Sequence, residues 1–384
     1  MTEKKCIVCI GKDWQESPTS NNHIMSILAK ENTVLWLNST GLRTPSLTSS
    51  HDLKKIIKKI SQHIKGLLCI KDNLYVYTPL VLPFPKYTLI RKVNELLFRF
   101  ILRRILKKLK VKNSEIWLFY PTAYDLIKRV KRDILIYYCT DEWSQFSYLN
   151  SRLMKQTERH VLKDADIVFT TSKVLFQSKK KYNKNTYYMP HGVDYELFSD
   201  EQLKSLTAPI DIINIRNPII GFYGLIQDWI DFFLIRKIAE THPEWSLVLI
   251  GKIATDISVI KDINNIFLLG EKKYKLLPLY AQSFAVGIIP YNMRDVRMHT
   301  VNPTKLFQYL AVGLPTVCVD LPEVRDYNSI VSIAKTDKEF IELIEENLTS
   351  DTLEKRMNRR AAVKNETWDK RVEKIQAIIN HYKK

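Results

Sequence analysis

The chain has 384 residues, and 59 Lys and Arg against 41 Asp and Glu give it a formal net charge of +18. Its hydrophobic content of 45% with 26% charged residues is that of a globular protein and excludes wholesale disorder. No apolar run approaches the roughly 18 residues that would span a membrane. The N-terminal apolar run, residues 6–10, is too short for a signal peptide. The length predicts two domains, each with its own core.

The positive charge is concentrated in the first half of the chain. Residues 1–200 hold 34 Lys and Arg against 18 Asp and Glu, whereas residues 201–384 hold 25 against 23. This asymmetry predicts an acidic partner for the first half, either a nucleic acid or an anionic membrane surface. The five Cys are too scattered for a disulfide framework, which favours a reducing compartment. Cys6 and Cys9 would point to opposite faces of a strand, so no metal or redox role is expected.

Strand and helix patterns alternate through the first half, as in a doubly wound α/β sheet. The predicted strands are 6–10, 33–37, 73–77, 116–120, 134–138, 165–170 and 186–189. Two predicted helices, 52–64 and 89–111, carry many Lys and Arg beside apolar residues. That pattern is typical of helices that lie on an anionic membrane surface, and the alternative is a solvated face that covers a core helix. No RNA-binding sheet motif and no zinc-ligand spacing occurs, so nucleic acid is not expected.

The second half restarts after an aperiodic segment, residues 201–218, which is predicted to be a linker. Its predicted strands are 219–223, 247–250, 266–269, 284–290 and 316–319, and its predicted helices are 231–241, 274–282, 339–347 and 353–382. We expect a first domain over 1–205 and a second over 206–365. The C-terminal helix, 366–384, is expected to pack back on the first domain.

The most informative stretch is 302–317, NPTKLFQYLAVGLPTV. Asn302 is a good N-cap, Pro303 suits the first helical turn, and Gly313 suits the C-cap. The stretch thus predicts a helix whose N-terminus lies at the carboxyl end of a parallel strand, where anions bind. Lys305 adds a full positive charge in the first turn. A phosphate site is therefore predicted here, although many such turns carry a Lys and bind nothing.

Asp141 and Glu142 follow the buried strand 134–138, so they are expected at the crevice edge of the sheet. A carboxylate there can act as a general base, and the alternative for Asp141 is a helix N-cap. His191 in PHGVD could face the cleft, but a turn histidine is more often structural. Gly221 lies in the strand 219–223 and Gly224 directly follows it, where a glycine lets the backbone approach a phosphate. Their spacing is not that of a dinucleotide-binding loop, and no phosphate-binding Walker A sequence occurs.

Three further residues, Tyr291, Arg294 and Arg297, lie between the strand that ends at Pro290 and the helix that carries Lys305. They are expected near any anion bound at that helix. Arg residues on an exposed loop are, however, often only solvated. No Asp-x-Asp metal motif lies in a suitable place, so no metal site is expected.

The order of these motifs resembles the GT-B nucleotide-sugar glycosyltransferases. The matching segments are YYCTDEW, ADIVFTTS, MPHGVDYELF, IGFYGLI, GEKKYKLLPLYAQSFAVGIIPY and NPTKLFQYLAVGLPTV, with WLNSTGLRTPSL near the start and NETWDKRVEKI near the end. The likeness is greatest to bacterial enzymes of teichuronic-acid and exopolysaccharide biosynthesis, and weaker to the xanthan-pathway glucuronosyltransferases. It implies two Rossmann-like doubly wound domains that face each other across a cleft.

The resemblance also implies roles for individual residues. The second domain would hold a nucleotide sugar, a UDP-sugar by this likeness, with Lys305 and the helix N-terminus at Thr304 on the diphosphate. Gln308 falls where relatives carry a carboxylate that holds the ribose, the Glu271 region would line the base, and Tyr291 would approach the nucleotide. The first domain would hold the acceptor, with Asp141 as base.

One departure from the family bears on the mechanism. The E-x7-E acids of retaining members fall on Thr300 and Gln308, so both acids are absent, which favours inversion without an obligatory metal or cofactor. We therefore expect a cytoplasmic glycosyltransferase, peripheral to the inner face of the cell membrane, that acts on a lipid-linked glycan. The alternatives are a retaining transferase, a GT-B-like protein that binds nucleotide or anionic glycan without transfer, and, less favoured, a nucleotide-sugar epimerase.

Overall fold

The computed structural model describes residues 6–39, 50–82, 87–111, 114–146, 149–199 and 208–383. The chain divides into two compact units, one made of Met1–Met189 with Val372–Lys384 and the other of Pro190–Arg371. The first segment of the first unit thus ends at Met189, whereas the sequence predicts the end of the first domain at 205. Among the described residues, no helix is long and apolar enough to cross a membrane.

The first unit is built on an eight-stranded sheet of order β3-β4-β2-β1-β5-β6-β7-β8. All neighbouring strands pair in parallel except β3 and β4, which form an antiparallel pair. The strands are β1 Cys6–Ile10, β2 Thr33–Leu37, β3 Leu68–Lys71, β4 Leu74–Tyr77, β5 Ser114–Leu118, β6 Ile134–Cys139, β7 Ile167–Thr170 and β8 Thr186–Tyr188. The helices are α1 Ser20–Leu28, α2 Ser50–Ile64, α3 Thr88–Lys108, α4 Tyr124–Ile127, α5 Ser151–Asp164 and α6 Lys173–Lys180.

The central strands of this sheet are buried along their whole length. β1, β5 and β6 have no exposed residue, as expected of parallel strands covered by helices on both faces. α5 and α6 begin where a polar N-cap satisfies a free amide: Asn150 Oδ1 accepts from Leu153 N at 2.9 Å, and Ser172 Oγ accepts from Leu175 N at 3.2 Å. The parallel strands place their carboxyl ends, and hence the loops that follow them, along one edge of the sheet.

The second unit is built on a six-stranded parallel sheet of order β11-β10-β9-β12-β13-β14. The strands are β9 Ile219–Tyr223, β10 Ser246–Ile250, β11 Ile266–Gly270, β12 Val286–Ile289, β13 Thr316–Val319 and β14 Ser332–Ala334. The helices are α7 Tyr195–Ser199, α8 Phe232–Thr241, α9 Leu277–Gln282, α10 Thr304–Val312, α11 Asp337–Ser350, α12 Leu353–Val363 and α13 Trp368–Tyr382, the last of which ends in the first unit.

Several sequence-based boundaries are corrected by the structure. The single helix predicted over 353–382 is two helices, because residues 364–367 leave the helix to pair with Val193: Val193 N donates to Glu366 O at 2.9 Å. The short strands β3 and β14 and the helices α4, α5, α7 and α12 were not predicted as separate elements. Part of the predicted linker, residues 201–207, lies outside the described residues.

Candidate functional site

The helix α10 begins at the carboxyl edge of the six-stranded sheet, in the loop that follows β12. Its N-cap is Pro303, one residue later than the predicted Asn302, and no side chain caps it. The first amides of an α-helix have no partner within the helix, so this end offers N–H donors and the positive end of the helix dipole. The helix ends as predicted at Gly313, which adopts φ +84°, a conformation that favours glycine.

Lys305 in the first turn of α10 is a buried cation held by aromatic rings. Its side chain is only 9% exposed. Nζ donates to the hydroxyl of Tyr291 and lies 4.9 Å from the ring centre of Phe222 and 4.8 Å from that of Tyr291. Within the described residues, no carboxylate lies within ion-pair distance of Nζ. The cation is therefore stabilised by ring faces and its charge is left available to an anion.

Gly224 brings the backbone close to this cation. A Cβ at this position would lie 3.2 Å from Lys305 Cε and 3.4 Å from Nζ, and the φ of +144° is strained for any other residue. The amide of Gly224 donates to Ile250 O at 2.8 Å, which holds the turn on the neighbouring strand. A side chain at this position would thus meet the Lys305 side chain, and the predicted approach of this backbone to a phosphate stays a prediction.

The loops after β9 and β12 are joined at the same edge of the sheet. Asp231 N donates to Pro290 O at 2.8 Å, and Asn292 N donates to Trp229 O at 2.8 Å. The result is a set of βα loops that converge on the N-terminus of α10, the position where open parallel sheets bind ligands.

Among the other residues predicted for the second unit, the structure places Thr304 at the first position of α10, half-buried. Gln308 is half-buried one turn later. Glu271 is exposed directly after β11. Thr300 is buried, and its hydroxyl donates to Arg297 O at 2.9 Å.

The two predicted arginines have different surroundings. Arg294 is exposed. Arg297 is bound by two carboxylates, Asp295 Oδ2 at 2.7 Å from Nε and Asp228 Oδ1 at 2.9 Å from Nη2. The hydrogen bonds that Arg297 donates to Asp295 and then to Asp228 raise the pKa of Arg297. Its charge is thus already compensated, so in this conformation it adds little to an anion site.

His191 also lies in the second unit, and it is buried. Its ring packs edge-on against Trp368, with 6.0 Å between the ring centres, and its carbonyl oxygen accepts from Arg371 Nε at 3.3 Å. Nδ1 has no hydrogen-bond partner among the described residues. Burial, together with the charge of Arg371, lowers the pKa of His191 to about 3, so the ring is neutral at physiological pH.

Asp141 lies in the first unit, in the turn that follows β6. Thr140 Oγ1 donates to Asp141 Oδ2 at 2.7 Å, the one hydrogen bond that the described residues make to this carboxylate. The Trp143 amide donates to the Asp141 carbonyl at 3.1 Å and so shapes the turn. Burial raises the pKa of Asp141, and the bond from Thr140 offsets part of that rise. A desolvated carboxylate with few donors is a stronger base than an exposed one.

The neighbouring Glu142 is part of a buried ion cluster that sequence reasoning did not find. Its Oε2 accepts from Lys179 Nζ at 2.7 Å and its Oε1 accepts from Ser144 Oγ at 2.8 Å. Lys179 is 3% exposed and also donates to Glu158 Oε2 at 2.8 Å. Glu158 in turn accepts from Tyr137 OH at 2.8 Å. Glu142 therefore ties the Asp141 turn to α6, and its carboxylate is already occupied by these partners.

The basic helix α2 turns an apolar stripe to the outside of its unit. Leu53, Ile57, Ile60 and Ile64 follow one helical face and are 43%, 66%, 43% and 77% exposed. The inward face is polar: Lys59 pairs with Asp13 and donates to Ser39 O at 2.6 Å, and His63 Nδ1 donates to Thr78 O at 3.0 Å. The half-buried face thus mixes these polar groups with Ile56, while four large aliphatic side chains face outward.

The second basic helix, α3, is anchored by Phe98, Leu102 and Ile105, which are buried. Its outer surface also carries apolar residues, of which Leu89 and Phe100 are 74% and 58% exposed. The cations of this helix are Arg91, Lys92, Arg99, Arg103, Arg104, Lys107 and Lys108. The predicted combination of charge with exposed apolar surface is thus present on both helices.

No protein-family model matches the chain. It is 29% identical over 225 residues to TuaH of Bacillus subtilis (strain 168), which is named as a glycosyltransferase of teichuronic acid biosynthesis. That match spans 54% of this chain and 55% of the relative, so it covers about half the length of each. It agrees with the resemblance to teichuronic-acid enzymes that the motifs indicate.

The fold is similar to that of several solved structures over nearly the whole chain. Sucrose-phosphate synthase from Thermosynechococcus elongatus matches with a TM-score of 0.70 and 12% identity over 98% of this chain and 99% of that one. The trehalose-6-phosphate protein from E. coli bound with UDP-2-fluoro glucose matches with 0.69 and 13% over 99% of each chain. Anabaena HepE in complex with UDP and glucose matches with 0.66 and 12% over 97% and 99%. The chain has the GT-B fold, as its motifs predicted.

Proposed function

We propose that this protein is a glycosyltransferase that moves a sugar from a nucleotide-sugar donor, a UDP-sugar, to a hydroxyl of a lipid-linked oligosaccharide. The observation that carries the proposal is the uncompensated, ring-held cation of Lys305 in the first turn of α10, against the backbone of Gly224. The GT-B fold and the partial match to a named glycosyltransferase support the same activity. The UDP complexes of two proteins of similar fold support the choice of UDP.

In the proposed donor site, Lys305 and the first amides of α10 bind the diphosphate. Thr304 offers its hydroxyl there, and Tyr291 orients the Lys305 ammonium through their hydrogen bond. Gln308 and Glu271 face the ribose and the base. As the diphosphate leaves, the negative charge on its leaving oxygen grows, and a fixed cation with a helix N-terminus stabilises that charge more than it stabilises the bound donor.

The proposed chemistry is a single inverting displacement with Asp141 as general base. The acceptor hydroxyl oxygen bonds to the anomeric carbon, the bond from that carbon to the diphosphate oxygen breaks, and the hydroxyl proton passes to Asp141. UDP leaves with the bonding electron pair. Inversion is favoured because the positions of the retaining acid pair are Thr300 and Gln308, neither of which is acidic. A retaining transferase and a non-catalytic nucleotide-binding protein are the competing functions.

The proposed acceptor is held at the inner face of an anionic cell membrane. The apolar stripe of α2 would enter the boundary between headgroups and acyl chains, and the Lys and Arg of α2 and α3 would bind lipid phosphates. Each cation near an anionic leaflet contributes about 1 kcal/mol, so the seven cations of α3 suffice for appreciable binding.

The proposed function is tested by separating donor binding from turnover. Lys305→Ala should weaken UDP binding about 10- to 100-fold, because a charge-assisted hydrogen bond to phosphate contributes about 1.5–3 kcal/mol. Asp141→Asn should leave UDP affinity within about twofold and lower transfer by about 10²- to 10⁴-fold. The measurements are calorimetric titration with UDP and release of UDP from UDP-sugars in the presence of membrane lipid extract.

Two charge-matched controls accompany these variants. Lys261→Ala removes an exposed cation of the second unit, and Asp133→Asn removes an exposed carboxylate at the opposite end of β6. Both should behave as the unmodified protein. Full activity of Asp141→Asn would remove that residue from the mechanism, and UDP binding that is unchanged in Lys305→Ala would reject the donor site. The anomeric configuration of the product distinguishes inversion from retention.

A further inference from the structure

The backbone of the turn that carries Asp141 is held by hydrogen bonds that do not involve the Asp141 side chain. Thr171 N donates to Cys139 O at 3.2 Å, and Thr171 Oγ1 donates to Thr140 O at 2.9 Å. Trp143 N and Cys139 Sγ both donate to Asp141 O, at 3.1 Å and 3.4 Å. Thr171 directly follows β7 and is fully buried, so the end of β7 fixes the end of β6.

The Thr140 hydroxyl bonds to a carboxylate instead of to the backbone. Thr140 Oγ1 donates to Asp141 Oδ2 at 2.7 Å. Threonine hydroxyls in turns and at helix starts commonly bond to a nearby backbone group, which stabilises the turn itself. Here the turn has other bonds, so the Thr140 hydroxyl acts on the orientation and the charge of the carboxylate. An O–H donor at this distance from an ionised carboxylate makes a charge-assisted hydrogen bond.

The two oxygens of the Asp141 carboxylate therefore differ. Oδ2 accepts from Thr140, whereas no described residue donates to Oδ1. The charged groups that follow in the turn and on α6 are bound to each other: Lys179 donates to Glu142 and to Glu158. Ser144 occupies the second oxygen of Glu142. Within the described part of this turn, Asp141 Oδ1 is thus the carboxylate oxygen that is left to accept a proton.

We infer that Thr140 is a positioning residue that holds Oδ2 of Asp141 and so presents Oδ1 to the acceptor hydroxyl. The inference rests on the proposed inverting transfer and deepens it, because it assigns the oxygen that acts and the side chain that orients it. In this step the acceptor oxygen bonds to the anomeric carbon and its proton passes to Oδ1. Thr140 keeps its own proton and its bond to Oδ2.

A base that is oriented in advance needs no rotation as the acceptor reacts. Rotation of the Asp141 side chain would turn Oδ1 away from the acceptor, and small misplacements of a reacting group are costly in rate. The bond from Thr140 to Oδ2 opposes that rotation. Loss of the Thr140 hydroxyl should therefore lower kcat and leave the KM for the nucleotide sugar unchanged.

The Thr140 hydroxyl also affects ionisation of the base. A hydrogen bond to the charged form of a carboxyl lowers its pKa, and the bond from Thr140 in this way opposes the effect of burial on the pKa of Asp141. Removal of the hydroxyl should therefore move the ionisation of Asp141 to higher pH. A threonine that served only to hold the backbone would not shift this titration.

The experiment titrates the Asp141 carboxyl directly in the full chain, by carbon NMR of protein labelled at the aspartate carboxyl carbon. Asp141→Asn assigns the signal. Thr140→Val keeps the branched shape but removes the donor, and it should raise the midpoint of this titration by about one pH unit. Thr140→Ser retains the hydroxyl and should titrate as the unmodified protein. Thr140→Ala is the deciding variant if Thr140→Val fails to fold.

Two further variants separate the hydroxyl from the turn. Thr171→Val removes the bond to Thr140 O but leaves the bond to Oδ2, so it should shift the Asp141 titration much less than Thr140→Val does. Thr349→Val, at an exposed position of α11, is the matched control and should titrate normally. Release of UDP from a UDP-sugar should fall about tenfold in kcat in Thr140→Val and recover in Thr140→Ser.

The inference is overturned if the Asp141 carboxyl titrates identically in Thr140→Val and the unmodified protein, or if Thr171→Val shifts it equally. Because the NMR titration does not depend on turnover, its failure is separate from that of the proposed function. Full transfer by Asp141→Asn would reject Asp141 as the base whatever the titration shows. An inactive Asp141→Asn with an unshifted titration in Thr140→Val would reject only the role of Thr140.

Discussion

The buried ion cluster beside the Asp141 turn allows a quantitative test through Lys179. Burial lowers the pKa of Lys179, but the nearby Glu158 and Glu142 charges raise it well above its usual range. A raised lysine pKa means that the Lys179 charge contributes its full stability below the unfolded pKa of about 10.4 and that this contribution is lost as the pH rises through the folded pKa. The cluster should therefore be fully formed at pH 7.

Lys179→Met replaces the cation by an apolar side chain of similar length and leaves two carboxylates facing each other. Breaking a buried ion pair by removing one partner costs about 3–5 kcal/mol. Glu158, at 5% side-chain exposure, has little access to water, so the upper part of this range is expected. For a unit of about 200 residues, this loss lowers Tm by about 6–20 °C. The measurement is urea and thermal unfolding at pH 7, followed by circular dichroism.

Two further variants make this test specific. Lys180→Met changes the exposed neighbour on α6 and should alter stability by no more than about 0.5 kcal/mol. The double variant Lys179→Met/Glu158→Gln also removes one of the two carboxylate charges that are left without a cation. It should recover at least half of the stability that Lys179→Met loses. A loss below about 1 kcal/mol in Lys179→Met, or no recovery in the double variant, would refute the reasoning.

Three other predictions concern the site and the surface. Gly224→Ala should keep the fold of the second unit but weaken UDP binding about tenfold in calorimetric titration, because its Cβ would press on the Lys305 side chain at a strained φ. As the pH is lowered, the rate of transfer should begin to fall at a pH above the ordinary Asp pKa of about 3.9. The reason is that burial raises the pKa of Asp141 and that a general base acts only when it is ionised. A pH–rate profile without this fall would contradict the assignment of Asp141 as the base. The protein should float with vesicles that contain anionic lipid and be released by 1 M salt. Ile57→Ser/Ile64→Ser should reduce the bound fraction severalfold, while the control Ser61→Ala should not; binding that ignores lipid charge would argue against the membrane surface.

The positions of the strands and of the central helix could be predicted because their signals are local. Pro303 and Gly313 bracket α10, and β6 is a continuous apolar run, so neighbouring residues alone specify these elements. The predicted boundaries of helices and strands were wrong where a residue distant in the sequence determines the backbone conformation. The helix predicted over 353–382 is interrupted because residues 364–367 pair with Val193, which no local periodicity reveals.

The amino-acid sequence by itself determined the alternation of strands and helices, the basic first half, and the presence of Lys305 at a helix N-terminus. These features follow from composition, from hydrophobic period and from Gly and Pro at turn positions. Only the tertiary structure decided which charges are free to act. The Lys305 ammonium contacts the rings of Phe222 and Tyr291, and no carboxylate of the described residues pairs with it. Arg297, in contrast, is bound by Asp295 and Asp228. The physical reason is that the effect of a charge depends on neighbours and solvent access, which the fold brings together from distant parts of the chain.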